Sequence, residues 1–425
     1  MTTELIIMHQ RQVIGTLTKL KNGSLYLKYE EEYRLHPDAT PLSTNISLSE
    51  AEHQSQAVTN WLWGVLPDSE AVLRRWGKEF SVSTRSVFGL LSTPIGEDCP
   101  GAFTFVRPER VEVVKNQKRE VQWLSENDVA NILRELRADA TAWLGNDMSG
   151  RFSLAGAQAK TALLWDGGKW GRPAGSIATT HIFKPAITGL DEHDLNEHLC
   201  MQAAKSLGMI VASTSIQSFE DQSALIVRRY DRSIVDKVQV RVHQEDFCQA
   251  SGIHPSKKYQ NEGGPSPKSI AQRMRLLMPG SVAKQSIERF ADALIWNWII
   301  AAPDAHAKNY SLLLAGQDVR LAPLYDIASA LAYKTFDRKK IKLAMKFGGT
   351  YSLDARPSTW SILSRDLDIP EDKLRSRTQR LVAAAPDAFA KIAHQSEIRR
   401  LSSTLPARLT DAVAARAAKC ATALS

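Results

Sequence analysis

The sequence predicts an α+β protein of more than one domain. Three observations indicate this class. Strand-like alternation and helical periodicity mix in the first half of the chain, the part after about residue 236 has a mainly helical pattern, and 425 residues suit two or three domains. Hydrophobic residues make up 43% of the chain, which is enough to form sizeable cores.

Composition argues against several classes of protein. The chain has four cysteines and no C-x-x-C pair, so we expect neither a disulfide framework nor a zinc site. This use of cysteine is consistent with a reducing compartment. The N-terminus lacks the basic start and apolar run of a signal peptide. The longest apolar run, from 293 to 302, is too short to cross a bilayer. These features predict a cytoplasmic protein with no membrane partner.

Residues 1–107 are predicted to form a compact accessory domain. Val13–Leu17 and Leu25–Tyr29 alternate like strands on either side of a Lys-Asn-Gly turn. Ala51–Phe80 carries an apolar stripe with the period of one helix. A charged connector, Arg107–Arg119, follows and predicts the first domain boundary.

A second domain is predicted over residues 108–235. Helical periodicity covers Ser125–Leu144, and strands are expected at Thr161–Trp165 and His181–Lys184. A helix is predicted at Asp194–Leu207, where apolar residues recur every four positions before a glycine. The strand Ala224–Val227 then leads into R-R-Y-D-R. The predicted order is therefore loop, strand, lysine-bearing strand, helix and strand.

The third predicted domain, residues 236–425, is expected to be all-α. Its most apolar helix, Ser286–Ile300, runs directly into the segment P-D-A-H-A-K-N. In that segment Asp304 and Asn309 have four residues between them, and a further carboxylate, Asp326, follows after the length of one hairpin. This spacing is the main chemical signal in the chain.

A phosphotransferase needs this combination of side chains. Protein kinases use an Asp to orient the acceptor hydroxyl, and an Asn and a later Asp to hold Mg²⁺ on the phosphates of ATP. Lys308 would place a positive charge near the γ-phosphate. The sequence therefore predicts a two-lobed protein-kinase-like fold, with an accessory N-terminal domain, a mixed α/β N-lobe and an all-α C-lobe. It also predicts ATP and Mg²⁺ as cofactors.

Four further features occur in the order in which kinases use them. Small residues at 155–160 would let backbone N–H groups approach phosphate oxygens. Lys184 ends an apolar strand, and Glu197 lies on the next helix, where a supporting partner for that lysine is expected. The backbone of Arg228–Tyr230 could meet an adenine edge. Each feature alone could be purely structural, but the shared order favours a kinase.

Two other groups of polar residues are not predicted to form a primary site. His193 and His198 are five residues apart, so they lie on different helix faces, and we expect surface histidines rather than metal ligands. The cluster Gln244-Glu245-Asp246 is predicted to cap a helix or to support the active site.

The chain resembles the HipA family of serine/threonine kinase toxins over nearly its whole length. The motifs that carry this resemblance are F-S-L-A-G-A-Q-A-K-T-A-L-L, T-H-I-F-K, N-E-H, R-Y-D-R, Q-E-D-F-C-Q, D-A-H-A-K-N and L-Y-D-I-A-S-A. In the first 107 residues, G-V-L-P and G-E-D-C-P-G-A are similar to the accessory domain of that family.

The resemblance implies ATP-dependent phosphorylation of a protein serine or threonine. It assigns catalysis to Asp304 with Lys308, metal binding to Asn309 and Asp326, and autophosphorylation to Ser153, with Glu197 in support. The residues it assigns to ATP binding are Ala155, Gly156, Ala157, Gln158, Ala159, Lys160, Lys184, Arg228, Arg229, Tyr230, His306, Lys308, Asn309, Tyr325 and Asp326.

The resemblance also implies partners. A HipB-like helix-turn-helix antitoxin would join the chain on operator DNA, and the expected protein substrate is an aminoacyl-tRNA synthetase or a similar translation protein. The net charge of +8, concentrated in 334–346 and in the tail from 371, would then provide contacts to DNA phosphates.

Two alternatives from other classes remain open. One is a catalytically silent, DNA-associated corepressor scaffold, which would not need Lys184, Asp304, Asn309 and Asp326 together. The other is a small-molecule or lipid phosphotransferase, which can use the same Asp-x4-Asn spacing.

Overall fold

The structure is a computed structural model, and it describes residues 3–116, 120–143, 154–156, 158–174, 177–235 and 238–424. Its first strands are β1 (Glu4–His9), β2 (Gln12–Lys19), β3 (Leu25–Tyr29), β4 (Glu52–His53), β5 (Phe103–Val106), β6 (Glu120–Leu124), β7 (Thr161–Asp166), β8 (Lys169–Ala174) and β9 (His181–Lys184). The later strands are β10 (Thr214–Phe219), β11 (Gln222–Arg228), β12 (Arg232–Val235), β13 (Val238–Arg241), β14 (His243–Asp246), β15 (Ser311–Ala315), β16 (Asp318–Leu321), β17 (Lys342–Phe347) and β18 (Thr350–Ser352).

The first helices are α1 (Glu31–Arg34), α2 (Gln56–Gly64), α3 (Glu70–Glu79), α4 (Val87–Leu91), α5 (Val111–Asn116), α6 (Glu126–Ala138) and α7 (His193–Ser206). The later helices are α8 (Phe247–Ala250), α9 (Pro267–Leu277), α10 (Gly280–Ile299), α11 (Thr359–Leu367), α12 (Glu371–Ala393), α13 (Ser396–Arg399) and α14 (Leu405–Thr422).

The chain divides into two compact units. The first comprises Met1–Pro185, Gln217–Ser256 and Ser311–Val319. The second comprises Ala186–Ile216, Lys257–Tyr310 and Arg320–Ser425.

In the part of the chain that the structure describes, no helix has both the length and the apolar character needed to cross a membrane.

Two sheets organise the first unit. A five-stranded antiparallel sheet has the order β4-β3-β2-β1-β5, and a six-stranded sheet has the order β10-β11-β9-β7-β8-β6. The strands predicted at Val13–Leu17 and Leu25–Tyr29 are confirmed as β2 and β3, and that predicted at His181–Lys184 is β9. One core is shared across the predicted boundary at 107, because Leu136, Trp143 and Leu154 pack with side chains of β1, β2, β3 and β5.

The helical stretch predicted at Ala51–Phe80 is confirmed in part, because it is interrupted and begins later than predicted. The segment forms β4 and two helices, α2 and α3, with Pro67 between the helices. Proline removes a backbone donor and disfavours helical geometry in the residue before it, so the apolar stripe cannot continue as one helix. Ser69 starts α3 by accepting a hydrogen bond from the backbone N–H of Val72 at 3.4 Å.

Two residues of the Gln244-Glu245-Asp246 cluster make structural contacts. The Glu245 side chain is buried and accepts hydrogen bonds from the hydroxyls of Ser43 and Thr44, both at 2.6 Å, from the Thr44 N–H at 2.9 Å, and from the indole N–H of Trp61 at 3.1 Å. Asp246 caps α8 in a capping box with Gln249. Glu245 therefore attaches Ser43, Thr44 and Trp61 of the predicted accessory domain to β14.

Helix packing dominates the second unit. Helix α10 is largely buried, and its Trp296 and Trp298 stack on Phe389 and Phe347 with ring centroids 5.8 and 5.0 Å apart. The two tryptophans are therefore core residues.

The expectation of an entirely α-helical region after residue 236 needs correction. This region contains β13–β18, and in the second unit β17 and β18 form an antiparallel hairpin. Its turn is Gly348-Gly349, with φ of 55° and 90°. Glycine adopts this left-handed backbone at little cost, and a Gly-Gly pair between alternating residues is a hairpin signal that the sequence already contained.

Candidate active site

The proposed catalytic segment begins where α10 ends. Ala301 takes a left-handed backbone with φ of 50°, and the Ala302 N–H donates to the Asn297 carbonyl at 2.9 Å. These features terminate the helix and turn the chain, so that Asp304 emerges with 68% of its side chain exposed. An exposed carboxylate at the end of a buried helix is accessible to an acceptor hydroxyl.

The four residues between Asp304 and Asn309 form a closed loop. The Asp304 carbonyl accepts hydrogen bonds from the His306 N–H at 2.8 Å and from Nδ2 of Asn309 at 2.7 Å. The Asn309 N–H donates to the His306 carbonyl at 2.9 Å. The spacing seen in the sequence therefore corresponds to one hydrogen-bonded ring, which needs Asn309 to close it.

This ring also orients the amide of Asn309. Because Nδ2 donates to the Asp304 carbonyl, the amide oxygen Oδ1 is the atom left for a cation, and within the described residues it accepts no hydrogen bond. An amide oxygen and a carboxylate are ligands that Mg²⁺ accepts, and Mg²⁺ takes its remaining ligands from water and substrate phosphates. The residues present therefore fit this ion. Among the described residues, His, Cys, Asp and Glu form no group of three or more that could hold a metal.

Asp326 is attached to the same segment through its neighbour. The Tyr325 hydroxyl donates to the Lys308 carbonyl at 2.7 Å, and both Lys308 and Asn309 are buried. Asp326 itself has φ of 59°, a left-handed conformation that Asp and Asn adopt more readily than other side-chain-bearing residues. Asp304, His306, Lys308, Asn309, Tyr325 and Asp326 are thus brought together within the second unit.

The residues after Asp326 are fixed by a contact that the sequence did not predict. Asn196, on α7, donates through Nδ2 to the Ser329 carbonyl at 2.8 Å and accepts the Ser329 N–H through Oδ1 at 3.2 Å. The Ser329 hydroxyl donates to the carbonyl of Ile300 at 2.5 Å. We call this group the Asn196–Ser329 clamp. It explains two motifs, N-E-H and L-Y-D-I-A-S-A, whose asparagine and serine had no assigned role.

The neighbours of Asn196 on α7 are buried as well. Glu197 is 1% exposed within the second unit. The surface position predicted for His198 is wrong: its side chain is buried, and Nδ1 lies 2.9 Å from the Thr214 hydroxyl. Burial lowers the pKa of His198 to about 4.

The proposed phosphate loop lies in the first unit. Gly156 has φ of 103°, and its carbonyl accepts the N–H of Asp68 at 3.0 Å. The ammonium group of Lys160 donates to the Ala155 carbonyl at 2.7 Å and lies 5.4 Å from the Trp143 ring centroid. The φ of Gly156 lies in a region that residues with a side chain rarely adopt, so glycine suits this position.

Two residues in or next to the proposed phosphate loop lie outside the described residues, and a third packs against the core of the first unit. Ser153 and Ala157 are the two that are not described. Ala159 packs against the core of the accessory residues, which suits a small apolar side chain. The anchor at Asp68, next to the G-V-L-P motif, was not predicted.

Lys184 and Lys160 lie at the same end of the six-stranded sheet. Thr161 pairs with Phe183 in antiparallel register, and Leu225 pairs with Lys184 on the other side. Nε2 of Gln158 donates to the Pro185 carbonyl at 3.3 Å, which attaches the loop just beyond Lys184. The structure therefore places the loop beside Lys184 in the first unit.

The side chains of the proposed adenine segment are mainly structural. The guanidinium of Arg229 is buried and binds both carboxylate oxygens of Asp231, at 3.0 and 2.8 Å. The backbone N–H of Arg229 donates to the carbonyl of Thr180 at 2.9 Å. Burial alone would raise the pKa of Asp231, but the charges of Arg229 and Arg232 outweigh it and hold that pKa well below its ordinary value. The Tyr230 hydroxyl donates to Gln244 at 2.5 Å.

Arg228 differs from its neighbour because its side chain is exposed at the end of β11. Since the Arg229 N–H already donates to a carbonyl, any adenine contact from this segment would have to use other backbone groups.

The contact between Tyr259 and Asp304 was not predicted from the sequence either. The Tyr259 hydroxyl donates to Oδ1 of Asp304 at 2.5 Å, although the two residues are 45 positions apart in the chain. Neither periodicity nor local spacing could have paired them.

Comparison with known families identifies the family of the chain. The family model of the HipA-like C-terminal domain matches residues 152–389, more than half of the chain, and that of the HipA N-terminal domain matches residues 5–106. The chain belongs to the HipA family. The resemblance read from the motifs is thereby confirmed.

Two relatives are similar over most of their length. A protein of Sinorhizobium fredii named as a kinase, Y4mE, is 31% identical to this chain over 409 residues, which are 96% of each protein. The serine/threonine-protein kinase toxin HipA of Shewanella oneidensis is 29% identical over 365 residues, covering 83% of this chain and 81% of the relative. This HipA family member is accordingly a protein kinase, as predicted.

A solved structure supports the fold. Shewanella oneidensis HipA, in a complex with HipB and its operator DNA, matches with a TM-score of 0.81 and 24% identity, covering 97% of this chain and 96% of that one. The predicted α+β, kinase-like fold class is confirmed. The roles of individual residues and the domain boundaries at 107 and 235 stay predictions.

Proposed function

We propose that this HipA family kinase is the toxin of a toxin–antitoxin module. It transfers the γ-phosphoryl group of ATP to a serine or threonine of a protein, most simply an aminoacyl-tRNA synthetase or a similar translation protein, and to its own Ser153. The observation that carries the proposal is the closed Asp304–Asn309 loop with Asp326 attached to it through Tyr325. The name of the Shewanella oneidensis relative supports the toxin assignment.

In this proposal Asp304 is the group that acts on the acceptor. Its exposed carboxylate accepts a hydrogen bond from the acceptor hydroxyl and takes the proton as the oxygen attacks the γ-phosphorus. The new bond joins that oxygen to phosphorus, and the bond to the bridging oxygen breaks, so that ADP leaves. Lys308 supplies positive charge for the phosphoryl group.

Asn309 and Asp326 would hold Mg²⁺ through Oδ1 and a carboxylate oxygen. When bound, this ion neutralises negative charge on the phosphates. The backbone of the loop 155–160 and the ammonium group of Lys184 would contact ATP phosphates, with Glu197 in support of that lysine. The backbone near Arg228 and Tyr230 would contact the adenine.

The proposed partners are a HipB-like helix-turn-helix antitoxin and, through it, operator DNA. This assignment rests on the complex in which the Shewanella oneidensis protein was solved. Lys334, Arg338, Lys339, Lys340 and Lys342 are all exposed in the second unit. We propose that this cluster contacts DNA phosphates, which gives affinity without sequence selectivity.

The first experiment is incubation with labelled ATP and Mg²⁺, followed by mass spectrometry of the chain and of a lysate. The wild-type chain should label a protein serine or threonine, and Asp304→Asn and Asp326→Asn should each lower transfer at least ~10²-fold. Asn tolerates the left-handed backbone at 326, so this variant removes the charge without straining the chain.

Asp368→Asn is a matched control. Asp368 also has a left-handed backbone, with φ of 52°, and its side chain is 84% exposed. This variant should transfer phosphate at the wild-type rate. Near-normal transfer by either active-site variant would contradict the assignment. ATP binding without transfer would favour the scaffold, and labelling of small molecules alone would favour the small-molecule phosphotransferase.

A further inference from the structure

One loop of the second unit contacts the exposed carboxylate of Asp304. The loop is Lys257–Gly264, with the sequence K-K-Y-Q-N-E-G-G, and we call it the Tyr259 loop. The Tyr259 hydroxyl donates to Oδ1 of Asp304 at 2.5 Å, a short distance typical of a hydrogen bond from a hydroxyl to a charged oxygen.

The conformation of the loop is set by its own backbone. The N–H groups of Glu262 and Gly264 both donate to the Tyr259 carbonyl at 3.0 Å. A Cβ on Gly264 would lie 2.4 Å from the Lys257 carbonyl oxygen and 2.8 Å from that of Tyr259. Only glycine allows the carbonyls to approach this closely. Tyr259 is therefore presented from a tight, self-bonded turn.

The loop is also attached to the proposed catalytic segment. The Ala307 N–H donates to the Lys258 carbonyl at 3.3 Å. The Tyr259 ring meets His306 edge-on, with ring centroids 5.1 Å apart, and His306 is buried. These two contacts fix the position of the phenol relative to the closed Asp304–Asn309 loop.

A third contact joins the loop to β17. The side-chain oxygen of Gln260 accepts the backbone N–H of Lys346 at 2.7 Å. The Tyr259 loop thus bridges the proposed catalytic segment and the hairpin β17–β18 within the second unit. Its position relative to Asp304 depends on two separate elements of that unit.

The exposure of Asp304 makes this contact important. A carboxylate that is 68% exposed can rotate among several side-chain conformers, and productive proton transfer requires one orientation. A hydrogen bond to Oδ1 selects a conformer and leaves Oδ2 for the acceptor hydroxyl. We propose that Tyr259 is a positioning residue that orients the Asp304 carboxylate for phosphoryl transfer. This inference rests on the role proposed above for Asp304.

The test compares Tyr259→Phe with the wild-type chain. The assay is transfer of labelled phosphate from ATP to a degenerate peptide library with a central serine or threonine, together with calorimetric ATP binding and thermal unfolding. Phenylalanine keeps the ring against His306 and removes only the hydroxyl. We expect kcat to fall about tenfold or more, because the lost hydrogen bond was made to a charged group.

The other parameters separate positioning from a structural role. The KM and Kd for ATP should stay at their wild-type values, and the melting temperature should change little, because water can replace the phenol at an exposed carboxylate. Tyr351→Phe is the matched control: Tyr351 lies on β18 of the same unit, and its variant should keep the wild-type kcat.

Several results would overturn the inference. One is a wild-type kcat in Tyr259→Phe. Another is a higher kcat, which would mean that the phenol blocks the acceptor. The third is a fall in kcat accompanied by a loss of ATP affinity and a lower melting temperature. Asp304→Asn is assayed in parallel. If it is inactive while Tyr259→Phe is fully active, only the inference fails. If it transfers phosphate normally, the role of Asp304 fails as well.

Discussion

Replacing Asn196 by alanine should loosen the segment that carries Asp326. The Asn196–Ser329 clamp is buried, with Asn196 at 0% and Ser329 at 1% exposure, so water cannot replace the amide. The substitution leaves the N–H and the C=O of Ser329 without the partner seen in the structure. Each unsatisfied buried group costs about 1–3 kcal/mol.

The net magnitude follows from two opposing effects. Two unsatisfied backbone groups cost about 2–6 kcal/mol. Alanine is the better helix former and returns about 0.7 kcal/mol on α7. We therefore expect a local destabilisation of about 1.3–5.3 kcal/mol, which corresponds to amide exchange roughly 10- to 6000-fold faster, since each 1.4 kcal/mol is a factor of ten.

Hydrogen-exchange mass spectrometry measures this effect locally. The peptides to follow span α7 and residues 326–333, and local exchange is preferable because the chain has two units and need not unfold in one step. Asn131→Ala is the matched control: Asn131 is an exposed asparagine inside α6. If exchange in Asn196→Ala stays within about threefold of the control, a shift of less than about 0.7 kcal/mol, the estimate of the clamp is refuted.

Three further predictions concern regulation, partners and pH. A phosphate on Ser153 adds about −1.5 to −2 charges beside the proposed phosphate loop, so Ser153→Asp should weaken ATP binding, measured by calorimetry, while Ser153→Ala should not; equal affinities would refute the prediction that phosphorylation of Ser153 opposes ATP binding. In a gel shift with its own operator, the isolated chain should bind DNA only in a salt-sensitive, unselective way, and tight selective binding would contradict the need for an antitoxin. Burial lowers the pKa of His243 to about 3. Between pH 6.5 and 3 the imidazole of His243 is therefore neutral in the folded chain, whereas it takes up a proton in the unfolded chain. Stability should therefore fall as pH drops from 6.5 towards 3, by up to about 1.4 kcal/mol per pH unit, and His243→Gln should show a shallower slope in urea denaturation.

Local pattern in the sequence predicted local structure well. Strand-like patterns located β2, β3 and β9, and the apolar pattern of Ser286–Ile300 located the C-terminal part of α10, which ends at Ile299. The Asp-x4-Asn spacing also has a local cause, because the Asn309 amide bonds the Asp304 carbonyl five residues earlier. Chemistry that depends on neighbours in the chain can be recognised from one sequence.

Contacts between distant residues could not be predicted in this way. Tyr259 reaches Asp304 across 45 positions, and Asn196 reaches Ser329 across 133. Side chains such as these bond to partners that no period or spacing specifies. The break at Pro67 is different, because a proline inside an apolar stripe is visible in the sequence and by itself indicates that the helix is interrupted.

The shared core of the first unit has a practical consequence for genetics. Gly156 is held by the backbone of Asp68, and Trp143 and Leu154 pack in the same core as the strands of residues 4–106. A truncated gene that starts at codon 108 would expose these side chains and remove the anchor of the loop proposed to hold ATP. In a screen for non-toxic clones, the inactive alleles should therefore include substitutions of Trp61 and the change Asp68→Pro, which removes the backbone N–H that holds Gly156. Neither position is assigned to the nucleotide or to the substrate.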